Sequence, residues 1–73
     1  IPTFEIEGNN INITVNHVME EDHFIEWIKV ITEKEEITKY FTPGEEASFT
    51  MPLKKDMAIY AYCNKHGLWK KEV

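Results

Sequence analysis

Cysteine occurs once in these 73 residues, at position 63. A lone thiol cannot close an internal disulfide, so the usual staple of small secreted folds is absent, and a reducing, cytoplasmic setting is the expectation. Basic residues are outnumbered, 8 Lys and Arg against 13 Asp and Glu, for a net charge of −5. Nucleic acid or an anionic membrane would need a basic face, so neither is expected as a partner. The pairs Lys54-Lys55 and Lys70-Lys71 read as solvated surface. No apolar run approaches the ~20 residues that span a bilayer, and no basic start followed by an apolar stretch marks a secretory signal. Repeats, linkers and low-complexity segments are also missing, so residues 1–73 read as one small domain. Cores this small rarely supply more than about 3–5 kcal/mol of net stability. A metal, a partner chain such as a second copy, or an unusually good core must add to it.

What the chain does contain is short runs of β-branched and aromatic residues. "TFEIE" and "INITVN" are separated by Gly8-Asn9-Asn10, and Ile11, Ile13 and Val15 alternate with polar residues, which predicts a hairpin with one buried face. "FIEWIKVIT" is apolar on both faces and, continued to Phe41, also fits an amphipathic helix. Ile25, Ile28, Val30, Ile31 and Thr32 are β-branched, which favours a strand. "EITKYF" follows the charged turn Glu33-Lys34-Glu35, and Pro43-Gly44 marks another turn. "ASFTM" and "MAIYAYC" read as strands split by Pro52 to Asp56, with a last strand in "LWKKEV". About seven short strands with turn signals between them predict an all-β fold, a β-sandwich. In "MAIYAYC" the period of two puts Met57, Ile59, Ala61 and Cys63 on one face and Ala58, Tyr60 and Tyr62 on the other. The thiol thus ends an apolar row at the rim of the core.

All three histidines and the cysteine fall into two segments, "HVMEEDH" and "CNKH". His17 and His23 would lie roughly 20 Å apart on an extended strand, and about 9 Å apart along a helix axis on different sides. Only a loop that folds back lets both rings reach one ion, and Glu20-Glu21-Asp22 suits such a turn. Cys63 and His66 frame a two-residue gap, a spacing that recurs in metal sites because a tight turn aims both side chains at one point. Gly67 follows and can take φ > 0, letting backbone N–H groups approach a thiolate. Each residue also has an ordinary reading, as a surface histidine or a small buried hydrophobe. Their concentration in two loops makes His17, His23, Cys63 and His66 the candidate metal ligands. One thiolate with three imidazoles suits zinc, copper or iron. Blue-copper sites on β-sandwiches are a rival pattern, half met because no methionine follows His66.

"HVMEEDHFIEWI" followed by "YCNKHGLW" resembles the iron domain of superoxide reductases, the neelaredoxin and desulfoferrodoxin proteins, and the likeness extends over essentially the whole chain. The resemblance implies an immunoglobulin-like sandwich carrying mononuclear non-haem iron with four equatorial histidines and an axial cysteine thiolate. By motif position, His17, His23 and His66 would be equatorial and Cys63 axial. The implied reaction is one-electron reduction of superoxide to hydrogen peroxide, the electron returned by a donor such as rubredoxin. With one cysteine there is no second, four-cysteine iron centre, so electrons would come from another protein.

The family's fourth histidine lies in an N-terminal loop just ahead of a pair like Ile1-Pro2, and that loop also carries a glutamate and a lysine near the open position; this chain contains none of the three. The chain begins at Ile1 rather than Met, which reads as a processed or truncated product. The other explanation is a true four-ligand Cys-His₃ site, which suits zinc and a structural, non-catalytic role. Val18, where the family usually has proline, loosens the loop without removing a ligand. Lys65 sits between two ligands, as a solvated lysine or an aid to anion approach, and Trp69 and Tyr62 flank the site as apolar cover.

Overall fold

The structure, a computed structural model, describes all 73 residues. Seven strands form in chain order: β1 Thr3–Glu7, β2 Asn10–Thr14, β3 Ile25–Ile31, β4 Glu36–Tyr40, β5 Ser48–Pro52, β6 Ala58–Cys63 and β7 Gly67–Glu72. The β-branched run from Ile25 is the strand its propensity predicts, not a helix. No helix is long and apolar enough to cross a membrane. The strands make two antiparallel sheets, of order β1-β2-β5 and β4-β3-β6-β7. This is the all-β, two-sheet sandwich expected from the sequence, and the immunoglobulin-like description fits it. Pro52 closes β5 at the edge of the smaller sheet, where its missing N–H interrupts no ladder.

The core follows from the alternation. Ile11, Ile13 and Val15 point inward from one sheet, and Ile25, Ile28, Val30, Ile59, Ala61 and Cys63 from the other, all buried. Met51, Met57, Phe41 and Ala47 complete the cluster. One feature breaks the period of two: the β3–β6 register shifts between Ile25, opposite Cys63, and Trp27, opposite Tyr62. Glu26 is the extra residue, and its carbonyl accepts the Phe41 N–H at 2.9 Å. The bulge turns Ile25 inward beside Cys63 although Ile28 and Val30 set the phase of the strand. It therefore fixes where the end of β6 meets the start of β3.

The connection from β2 to β3, the β6–β7 hairpin turn and the connection from β4 to β5 all leave the sandwich at one end. The first carries His17 and His23; the second carries His66.

Candidate metal centre

The β2–β3 connection folds back on itself. Glu20 and His23 exchange both backbone hydrogen bonds, Glu20 N–H to His23 C=O at 2.9 Å and His23 N–H to Glu20 C=O at 3.1 Å. That small hairpin, with Glu21 and Asp22 at its tip, returns His23 toward His17. Their ring centroids are 4.7 Å apart, far closer than a strand or a helix would allow. The Nδ1–H of His17 donates to the Val18 carbonyl at 2.7 Å, which sets the tautomer and leaves Nε2 with a free lone pair. From the β6–β7 turn, His66 presents Nδ1 at 3.2 Å from His17 Nε2, and Cys63 Sγ lies 3.4 Å from the same nitrogen. The Lys65 N–H points at Cys63 Sγ from 3.5 Å, and Gly67 takes φ 88° to close the turn.

All four sequence-predicted residues converge: one ligand atom from each of His17, His23, Cys63 and His66 lies within 4.8 Å of the others. The three rings stand nearly perpendicular to one another, with interplanar angles of 84°, 79° and 84°. Exposure rises outward, from fully buried Cys63 through half-buried His17 and His23 to exposed His66. The sulfur is the inner end of the cluster and the imidazoles are its outer end.

These residues fit a metal. Donor atoms about 2.1 Å from one ion lie about 3 Å apart when adjacent and about 4.2 Å apart when opposed, close to the separations found. The deciding observation is His23 Nε2, which is buried and has no hydrogen-bond partner. An orphaned buried acceptor costs about 1–3 kcal/mol unless something satisfies it, and a cation among these donors does so. One thiolate with three imidazoles is a donor set for iron, copper or zinc, and unsuited to magnesium or calcium.

The surroundings correct one expectation and add to another. Trp69 packs its ring 5.7 Å from both His17 and His66, as the apolar cover anticipated. Tyr62 does not flank the site: strand alternation turns it to the outer face of the larger sheet, stacked on Trp27 at 5.7 Å. Lys65 is exposed, and its backbone N–H rather than its ammonium meets the cluster. Two further residues escaped the sequence reading. Met19, between the histidines, accepts the Ile25 N–H on Sδ at 3.4 Å, and its carbonyl accepts the Gly44 N–H at 2.8 Å. Asn64, between Cys63 and Lys65, reaches across to the other ligand loop. Its position inside the "CNKH" turn was the available signal.

The Pro43-Gly44 turn thus buttresses the ligand loop through Met19. It is held in turn by the Glu45 carboxylate, which accepts the Thr42 backbone N–H and hydroxyl. Those bonds, the backbone one first, with Lys39 nearby, hold the Glu45 carboxyl below its ordinary value. At the far end of β7 the Lys70 ammonium is held above its usual range, chiefly by its hydrogen bond to the Glu72 carboxylate. Neither group touches the cluster.

The family profile described as Desulfoferrodoxin matches residues 3–72. The chain belongs to the desulfoferrodoxin family. A desulfoferrodoxin homolog of Archaeoglobus fulgidus is 43% identical over 96% of this chain and 59% of its own length. Among solved structures, the superoxide reductase from Treponema pallidum superposes with a TM-score of 0.79 at 28% identity, covering 96% of this chain and 61% of that one. The superoxide reductase (1Fe-SOR) from Giardia intestinalis superposes with a TM-score of 0.78 at 27% identity, covering 99% of this chain and 93% of that one. The chain spans about three fifths of the length of the curated relatives it matches. Family membership leaves the blue-copper pattern unfavoured, as does Met19, whose sulfur faces a backbone N–H.

Proposed function

We propose that His17, His23, His66 and Cys63 hold one iron ion and that residues 1–73 act as a single iron domain reducing superoxide to hydrogen peroxide. The reading is supported above all by the convergence of three imidazoles and one sulfur, with His23 Nε2 buried and otherwise unsatisfied. Family membership and the named activity of the structural neighbours support it independently.

Bound iron supplies one electron per superoxide, and two protons from solvent complete hydrogen peroxide. The protein's part is to hold its donors and shape access. Cys63 sits with its sulfur against the core, where Ile25, Ala61 and the cover of Trp69 keep water from the inner side. The exposed side of the cluster is its imidazole side, at His66, with exposed Lys65 next in the chain, and that is the side open to a small anion. The Lys65 N–H tempers the electron density on the sulfur by donating to it. The electron is returned to the centre by a redox donor, for which rubredoxin is our candidate, and residues 1–73 themselves hold one thiol, the one assigned to the centre. The same single reduced thiol supports a cytoplasmic setting. Association with a second copy belongs to this reading as a further source of stability for so small a core.

Stoichiometry tests the reaction. The iron-loaded chain, reduced and mixed with superoxide, should yield about one peroxide per superoxide consumed while one equivalent of ferrous iron is oxidised. Half a peroxide per superoxide with no net oxidation would mean dismutation, and no acceleration over the spontaneous reaction would leave only metal binding.

A further inference from the structure

Five consecutive backbone hydrogen-bonding groups surround His23, and only two residues take them all. His23 N–H and C=O pair with Glu20. The group before them, Asp22 C=O, accepts Asn64 Nδ2–H at 3.0 Å. The two after them, Phe24 N–H and C=O, meet Asn64 Oδ1 at 3.0 Å and the Asn64 N–H at 3.3 Å. Asn64 itself is bonded through its backbone to Cys63. We infer that Asn64 is a positioning residue for the metal centre, a clamp that sets the separation of His23 from Cys63 by holding the two ligand loops together. The inference rests on the proposed metal site and assigns Asn64 a role within it.

An asparagine in a tight turn has a simpler use, which the geometry excludes. In an Asx turn the side chain bonds its own backbone two residues on. Here both amide atoms bond 40 and 42 residues away, across the gap between the loops. The arrangement requires one acceptor and one donor on a short side chain. Asparagine meets that requirement in one amide orientation only, Oδ1 toward the N–H and Nδ2 toward the carbonyl. Aspartate keeps the acceptor and loses the donor; alanine loses both. With the His23 backbone pinned on both sides, only its two side-chain torsions are left to aim Nε2 at the cluster. Loops held this way keep their spacing before metal arrives, which lowers the ordering cost of binding.

The test compares wild type, Asn64→Ala and Asn64→Asp, with Thr50→Ala as control. Thr50 loses a side-chain hydrogen bond to Asn12 in the smaller sheet, away from the centre. In metal-free protein the Phe24 amide should exchange with solvent faster in Asn64→Ala, and at close to the wild-type rate in Asn64→Asp and Thr50→Ala. In competition with a chelator, ferrous iron and cobalt(II) affinity should fall about 10–100-fold in Asn64→Ala, the usual cost of losing an outer partner of a ligand. The fall should be smaller in Asn64→Asp and absent in Thr50→Ala. The thiolate charge-transfer band of the cobalt form should shift in Asn64→Ala and hold its place in the control. Unchanged exchange at Phe24 together with unchanged affinity and band would overturn the clamp. If Asn64→Ala does not fold, the Asn64→Asp measurements decide, with wild-type affinity and an unshifted band counting against the inference. Failure of wild type itself to bind either metal would instead overturn the metal-site reading on which the clamp rests.

Discussion

Cys63→Ser should remove the thiolate charge-transfer band of the oxidised iron form and nearly all superoxide reduction. Oxygen replaces sulfur with little change in volume, so the fold has no steric reason to fail. Cys63 is fully buried on the inward row of β6, opposite Ile25 across the bulged pair. A buried hydroxyl left without good partners costs about 1–3 kcal/mol, and the Lys65 N–H beside it offsets part of that. The chemical change is far larger. Serine keeps its proton at neutral pH, so the centre loses its only anionic donor and the polarizable atom from which the band arises. Loss of an outer partner costs about 10–100-fold, and removal of the sulfur itself should exceed that in both affinity and turnover. The check is an absorption spectrum and stopped-flow superoxide decay on a variant whose far-ultraviolet circular dichroism matches wild type. A retained band with retained turnover would show that sulfur is not a ligand.

Stripping the metal should lower the melting temperature by on the order of 10–20 °C. A ligand that binds only the folded chain at about 100 times its Kd adds about 2.7 kcal/mol, and each kcal/mol moves the midpoint of a domain this size by about 4–8 °C. The fold has reason to depend on it. His17 Nε2 has His66 Nδ1 at 3.2 Å and Cys63 Sγ at 3.4 Å, a crowding of ligand atoms at one point, and His23 Nε2 is buried without a partner. A scanning calorimetry trace that does not move after verified metal removal would mean that the loops gain nothing from the ion.

Much of this was legible in the sequence, and particular residues show why. The row Met57, Ile59, Ala61, Cys63 alternates cleanly, so its buried face could be read from a period of two, and all four are buried. "FIEWIKVIT" could not be phased, because Ile25 and Ile28 are three apart and both face inward. The bulge at Glu26 reconciles them, and a bulge is a pairing event with no signature in one strand's own residues. The ligands were legible through residue type and rarity: one thiol and three imidazoles in two segments. The fold-back of the first segment was legible only as a requirement, since Glu21 and Asp22 form its tip without glycine or proline. Tyr62 was misplaced by adjacency to Cys63, although strand alternation sends neighbours to opposite faces. Asn64 and Met19 went unseen because their partners lie in other loops or strands, and one sequence does not display such tertiary pairings.

X-ray absorption at the iron edge of the reconstituted chain interrogates the central claim most directly, because it counts sulfur and nitrogen around the same atom. The account predicts one sulfur neighbour at about 2.3 Å and at least three imidazole nitrogens at about 2.1 Å, distances ordinary for such donors on a divalent first-row ion. A spectrum fitted by oxygen and nitrogen alone, with no sulfur and no imidazole scattering, would contradict it.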